Sequence, residues 1–104
     1  MTEEYLYRSL KEAGVPEHDH GGIVRYVLHG IEPGGFLTAV ITNNLKESMG
    51  KADLENRRAL FNIVSWFYNH APADCWGSAA RMSAWIIARR GLDGVKEVST
   101  HVDS

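Results

Sequence analysis

His18, Asp19 and His20 form the most metal-like run in the chain, because alternate imidazoles and a neighbouring carboxylate can reach one ion. His29 or His70 would have to complete the shell, and no His-Glu-x-x-His or Cys-x-x-Cys spacing accompanies them. The run is therefore read as an exposed polar loop, and neither a metal nor a cofactor is expected. Cys75 is the second candidate. It stands five residues after His70 and three before a helix start expected at Ser78, an arrangement that can depress a thiol pKa and make a nucleophile. Beside Trp76 in a tight connection, the plainer reading is a buried thiol. No nucleophile elbow or dinucleotide fingerprint occurs, and Pro33-Gly34-Gly35 lacks the lysine and preceding strand that a phosphate-cradling loop requires. Catalysis is not expected, so a small metal- or thiol-dependent enzyme ranks third among the readings.

Binding chemistry is better represented. Residues 1–52 carry five basic and seven acidic side chains, whereas Arg57, Arg58, Arg81, Arg89 and Arg90 face a single acid, Asp74, giving that stretch a local charge of +4 against −2 for the whole chain. With Trp66 and Trp76 among them, these arginines have the composition of a base-stacking platform with phosphate contacts. Aromatics at helical spacing more often belong to a core, and scattered arginines to a solvated face. Asn44 falls on an otherwise apolar arc. It is read either as a buried amide bonded across to a neighbouring helix or as part of a groove for a partner.

These side chains must be positioned by helices. Thr2 to Ala13 reads as a short helix stopped by Gly14 and Pro16, and residues 17–22 as a polar loop. Ile23–His29 suits either a helix or a buried strand. Helix is preferred, because no second strand exists to pair with it. A turn over residues 31–35 precedes a helix from Phe36 to Met49 that ends at Gly50. Asp53 caps the longest helix, running to His70, with Leu60, Ile63, Val64 and Phe67 as its stripe. Its apolar arc, extended by Phe61, Trp66 and Tyr68, spans roughly 200° and predicts a central position contacted from several sides. Ser78 caps a last helix carrying Met82, Trp85 and Ile86, which Gly91 ends. The expected fold is an all-α single domain over residues 1–91, a bundle of four to five helices, with a poorly ordered tail over 92–104.

The 104 residues, 44% hydrophobic and 23% charged with one cysteine, suit one soluble globular core and exclude a disulfide framework or a cysteine-rich zinc module. No apolar run reaches the roughly 18 residues of a membrane span, and no basic leader precedes an apolar stretch, so a cytoplasmic address is expected.

Arg25-Tyr26, the run from Gly30 through Pro33-Gly34-Gly35-Phe36-Leu37 to Val40, Asn43-Asn44-Leu45, Ala52-Asp53, Asn56, Trp66 to Asn69, Pro72, Cys75-Trp76-Gly77-Ser78 and Trp85 form a pattern. It resembles a family of small uncharacterised proteins of tailed phages and prophages. The resemblance covers residues 22–88 and leaves 1–21 outside. The family usually shows Asn-Asp-Leu where this chain has Asn43-Asn44-Leu45, so a carboxylate is missing from that turn. The family supplies no activity to carry over. Its phage setting implies an accessory protein that acts by binding, as inhibitors of host defence such as anti-CRISPR proteins do. The expected partner is a host protein or nucleoprotein complex in the host cytoplasm. Single-stranded nucleic acid bound by the arginine and tryptophan segment is the alternative.

Overall fold

Thr2, Asn44, Asp53 and Ser78 each accept a backbone N–H from the residue three positions on, at 2.8–3.1 Å, and each opens a helix. A computed structural model describes the backbone of residues 1–102 and the side chains of residues 1–90. The helices are α1 (Glu3–Glu12), α2 (Glu17–His29), α3 (Gly35–Ile41), α4 (Leu45–Lys51), α5 (Leu54–Arg58), α6 (Leu60–His70) and α7 (Ala79–Val102), with a 3₁₀ turn at Ala73–Cys75 before the last. The fold is all-α, and the described residues contain no strand. Among the described residues seven helices stand where four to five were expected, because two of the expected helices each divide in two.

Residues 17–22 are not a loop. Pro16 turns the chain, and Glu17 and Asp19 lie in the first turn of α2, where their charges suit the helix dipole. The helix expected over Phe36–Met49 is two helices. Asn43 adopts the left-handed conformation (φ 62°), and the Asn43 and Asn44 amides reach back to the Val40 and Ala39 carbonyls at 3.1 and 2.8 Å, closing α3 in a Schellman motif. Asn44 then caps α4, and Gly50 lies inside α4 rather than ending it. The expected Asp53–His70 helix is α5 and α6, joined at Ala59, whose dihedrals (φ −98°, ψ 6°) depart from helical values. The Ala59 amide still bonds to Glu55 and the Ile63 amide to Ala59, so the two pieces form a bent rod. The longest helix is α7, which passes Gly91 and runs to Val102. The tail expected over 92–104 has its side chains outside the described residues, as are residues 103 and 104 entirely.

One core cluster joins Leu6 and Leu10 of α1, Ile23, Tyr26 and Val27 of α2, Ile41 of α3, Ile63, Trp66 and Phe67 of α6, and Cys75, all fully buried or nearly so. The buried face of α6 is thus Ile63, Trp66 and Phe67. Leu60 is half-buried and Val64 exposed, so the buried face is rotated from the stripe read from sequence toward Trp66, by roughly 60° at 100° per residue. Helix α2 packs against α1, α3 and α7, and occupies the central place expected of Asp53–His70. Long-range hydrogen bonds tie the 72–77 connection down. The Tyr26 hydroxyl donates to the Cys75 carbonyl at 2.5 Å, and the Gly77 amide donates to the Ile41 carbonyl at 2.7 Å. The Trp85 indole is shared between the Tyr26 and Val27 carbonyls, both at 3.2 Å, and so ties α7 to the end of α2, where the Tyr26 carbonyl also accepts the Gly30 amide at 2.9 Å. No described helix is long and apolar enough to cross a membrane.

Candidate functional site

Folding residues 17–22 into α2 turns the histidine run into two different environments. The buried His20 ring nitrogen Nε2 lies 2.8 Å from the Val15 carbonyl. His18 stays exposed and faces three carboxylates: Glu55 Oε1 at 2.9 Å, Asp53 Oδ2 at 3.3 Å and Asp19 Oδ1 at 3.6 Å. This cluster joins the start of α2 to the start of α5. Among the described residues no group of three or more His, Cys, Asp or Glu is arranged to hold a metal ion.

Asp19 is only 6% exposed, and its Oδ2 and the Oδ1 of the equally buried Asn56 have no hydrogen-bond partner. Burial pushes the Asp19 carboxyl above its ordinary 3.8, Asp53 and Glu55 push it further, and His18 and Asn56 pull it back. A carboxyl raised in the folded state binds more protons there than in the unfolded chain, so its contribution worsens as pH rises from 3.8 through the folded value. Asp19→Asn removes that penalty. Its melting temperature should exceed the parent's at pH 7, with the gap closing as pH falls toward 4. A variant that melts lower than the parent at pH 7 would show the ionised carboxylate to be a net stabiliser.

The Cys75 thiol lies in the core, in keeping with the plainer reading of it. Cys75 is fully buried, and burial pushes its thiol up to about 12. His70 turns elsewhere. Its Nδ1 meets the Tyr5 hydroxyl at 2.8 Å and its ring stacks on Trp66.

The expected binding residues do not come together as one platform. Trp66 is 0% exposed, and its indole donates to Ser9 Oγ at 2.9 Å, so it is core and no stacking surface. Trp76 is half-buried against Phe67, with ring centroids 5.6 Å apart. Arg81 donates to the Ala73 and Trp76 carbonyls, and the Arg89 guanidinium lies 4.3 Å from the Trp85 ring centre. Arg90 is exposed. Asn44 is exposed rather than buried. Its side chain is spent as a cap, although it also lines an open polar depression of about 280 Å³ with Thr38, Thr42 and Glu47.

Arg81 lines an open cavity of about 480 Å³ with Trp85, Ala84 and Ala88, whereas Arg57 and Arg58 lie beside a stripe of exposed apolar side chains. On α5 and α6, Leu54, Phe61 and Tyr68 are 62%, 81% and 79% exposed, and Val64 is partly exposed beside them. Leu54, Arg57, Phe61, Val64 and Tyr68 follow one another at intervals of three and four, the seam spacing of a helix that packs on another helix. Its α6 part, from Phe61 to Tyr68, is about 11 Å long at 1.5 Å per residue, and Leu54 and Arg57 extend it across the bend at Ala59. The bent rod is therefore apolar on two opposite sides, one on the core and one open to solvent. Contiguous exposed apolar surface of this kind marks interaction sites in soluble proteins. The chain matches no family model, no curated protein and no solved structure. The resemblance to phage proteins thus rests on the quoted residues alone. An apolar arc of roughly 200° was the available signal for the stripe: it is wider than one neighbouring layer can cover, and the excess stays exposed.

Proposed function

We propose that this protein works by binding, as an accessory inhibitor or regulator of a host defence protein or nucleoprotein complex, and that α5–α6 is its contact face. The exposed stripe Leu54, Phe61, Val64 and Tyr68, with Arg57 in its seam and Arg58 beside it, carries this reading. Large aromatics and arginine are the residues that dominate binding energy at interfaces, where they act as buried anchors. The phage-protein resemblance supplies the class of target.

Phe61→Ala combined with Tyr68→Ala tests it. Both rings are almost free of the fold, so the double variant should keep its stability within about 1 kcal/mol of the parent's, as substitutions outside the core usually do. It should nevertheless lose whatever host protein the parent retains from a lysate, and lose any protection that expression of the parent gives a phage restricted by a host defence system. A double variant that retains the same partner and protects equally well would remove α5–α6 from the function.

A second reading has its own support. Arg57 and Arg58 beside two exposed aromatic rings are also the ingredients of a single-stranded nucleic-acid site, now with Phe61 and Tyr68 in place of the buried Trp66. Affinity for labelled oligonucleotide that falls steeply with salt would favour it.

A further inference from the structure

Self-association, nucleic acid and a partner helix make different demands on the α5–α6 stripe, and its charges discriminate among them. Arg57 lies within the seam, so whatever covers Phe61 and Val64 also covers Arg57, and a covered guanidinium without a carboxylate is strongly unfavourable. Neither Arg57 nor Arg58 has an ion-pair partner among the described residues, whereas the two acids of this stretch, Asp53 and Glu55, are turned toward His18 on the α2 side. A second copy therefore brings no acid to the seam. In an antiparallel pairing centred on Phe61, Arg57 lies over Ser65 of the copy and Arg58 over Val64, and in a parallel pairing like charges meet. Nucleic acid supplies negative charge but leaves Leu54 and Val64 without an apolar counterpart. The α6 end sets a further limit. There Phe61 shares a shallow groove with Asn62, Asn69 and Glu12 of α1, so acids on the occupant are welcome at the Arg57–Arg58 end and not beside Glu12.

We propose that the α5–α6 face receives an amphipathic helix of a protein partner, whose apolar residues pack on Leu54, Phe61, Val64 and Tyr68 and whose acidic residues lie against Arg57 and Arg58. This deepens the binding reading and rests on it. Helix-in-groove recognition anchors such a segment at intervals of three and four residues, which is the spacing the stripe presents. The arginines set which helices are accepted, since an acid-flanked helix gains the pairs and a basic-flanked one meets like charge.

The test uses the full chain and two fluorescent synthetic helical peptides with leucine at the a and d positions, one flanked by glutamates and one by lysines. Fluorescence anisotropy is expected to show the glutamate peptide binding at least about tenfold more tightly than the lysine peptide, the effect of a difference of about 1.4 kcal/mol. Phe61→Ala with Tyr68→Ala should weaken its binding at least as much, and Arg57→Glu with Arg58→Glu should reverse the preference between the peptides. Equal binding of the two peptides, or binding untouched by Phe61→Ala with Tyr68→Ala, overturns the proposal. Binding of oligo(dT), or dimerisation in sedimentation, that takes the face in place of the glutamate peptide and is lost in that variant overturns the acidic helix but leaves the face as a binding surface. A face that takes none of these probes, in a protein whose lysate partner survives the double variant, overturns the broader reading as well.

Discussion

Trp66→Ala should destabilise the protein by about 3–5 kcal/mol, the range for removing a fully buried large aromatic. Trp66 is among the largest fully buried side chains, packed edge-on to Phe67 with centroids 5.1 Å apart and stacked on His70. Its indole N–H also satisfies Ser9 Oγ, which in turn donates to the Leu6 carbonyl at 3.0 Å, so truncation leaves a hole and a buried hydroxyl without its donor. Domains of this size hold on the order of 5–15 kcal/mol, so the variant should be partly unfolded near body temperature. Urea denaturation followed by circular dichroism measures the loss. Val64→Ala is the paired control, since its side chain faces out on the same helix, and it should shift the midpoint little. If Val64→Ala proves as costly as Trp66→Ala, the rotation of α6 described above is wrong.

Gly30→Ala should cost about 2–4 kcal/mol, combining the left-handed conformation with overpacking. Gly30 ends α2 at φ +66°, and a Cβ there would stand 2.7 Å from Arg89 Cβ, 3.0 Å from the Ile86 carbonyl oxygen and 3.2 Å from Ile86 Cα. Two of these atoms belong to the backbone of α7, so relief requires α2 and α7 to separate. The Trp85 bonds to the end of α2 lie at the same junction and should weaken with it. Gly50→Ala makes the contrast. Gly50 sits within α4 with nothing near its missing Cβ, so the same change there should stabilise by about 0.4–1 kcal/mol through the unfolded chain. Thermal melts of the two variants should therefore move in opposite directions. A Gly30→Ala protein that melts with the parent would mean that the α2–α7 junction has slack.

Local chemistry by itself determined where many helices begin and end. Asp53 and Ser78 were legible as caps because a short oxygen-bearing side chain before an apolar periodic run has one favourable use, and the all-α class followed from the lack of any strand to pair with Ile23–His29. The Asn43–Asn44 break was equally local. It was missed because asparagine at a helix C′ position, which tolerates positive φ, looks in sequence like a mediocre residue within a longer helix.

What only the tertiary structure decided is which side of a helix is covered. Along residues 54–70 the apolar groups surround most of the circumference, and periodicity cannot choose between Trp66 and Phe61 as the inward residue. The choice depends on α1, which brings the Ser9 hydroxyl to within 2.9 Å of one indole and leaves no element over Phe61 or Tyr68. The arginines are divided by nearer contacts. All five are equal in a charge count, but Arg81 is held by two carbonyls of its own connection and Arg89 by the indole one turn before it, Arg90 is exposed, and Arg57 and Arg58 stand beside the uncovered face. Hydrophobicity is a property of a residue, whereas exposure depends on the neighbours that the fold supplies.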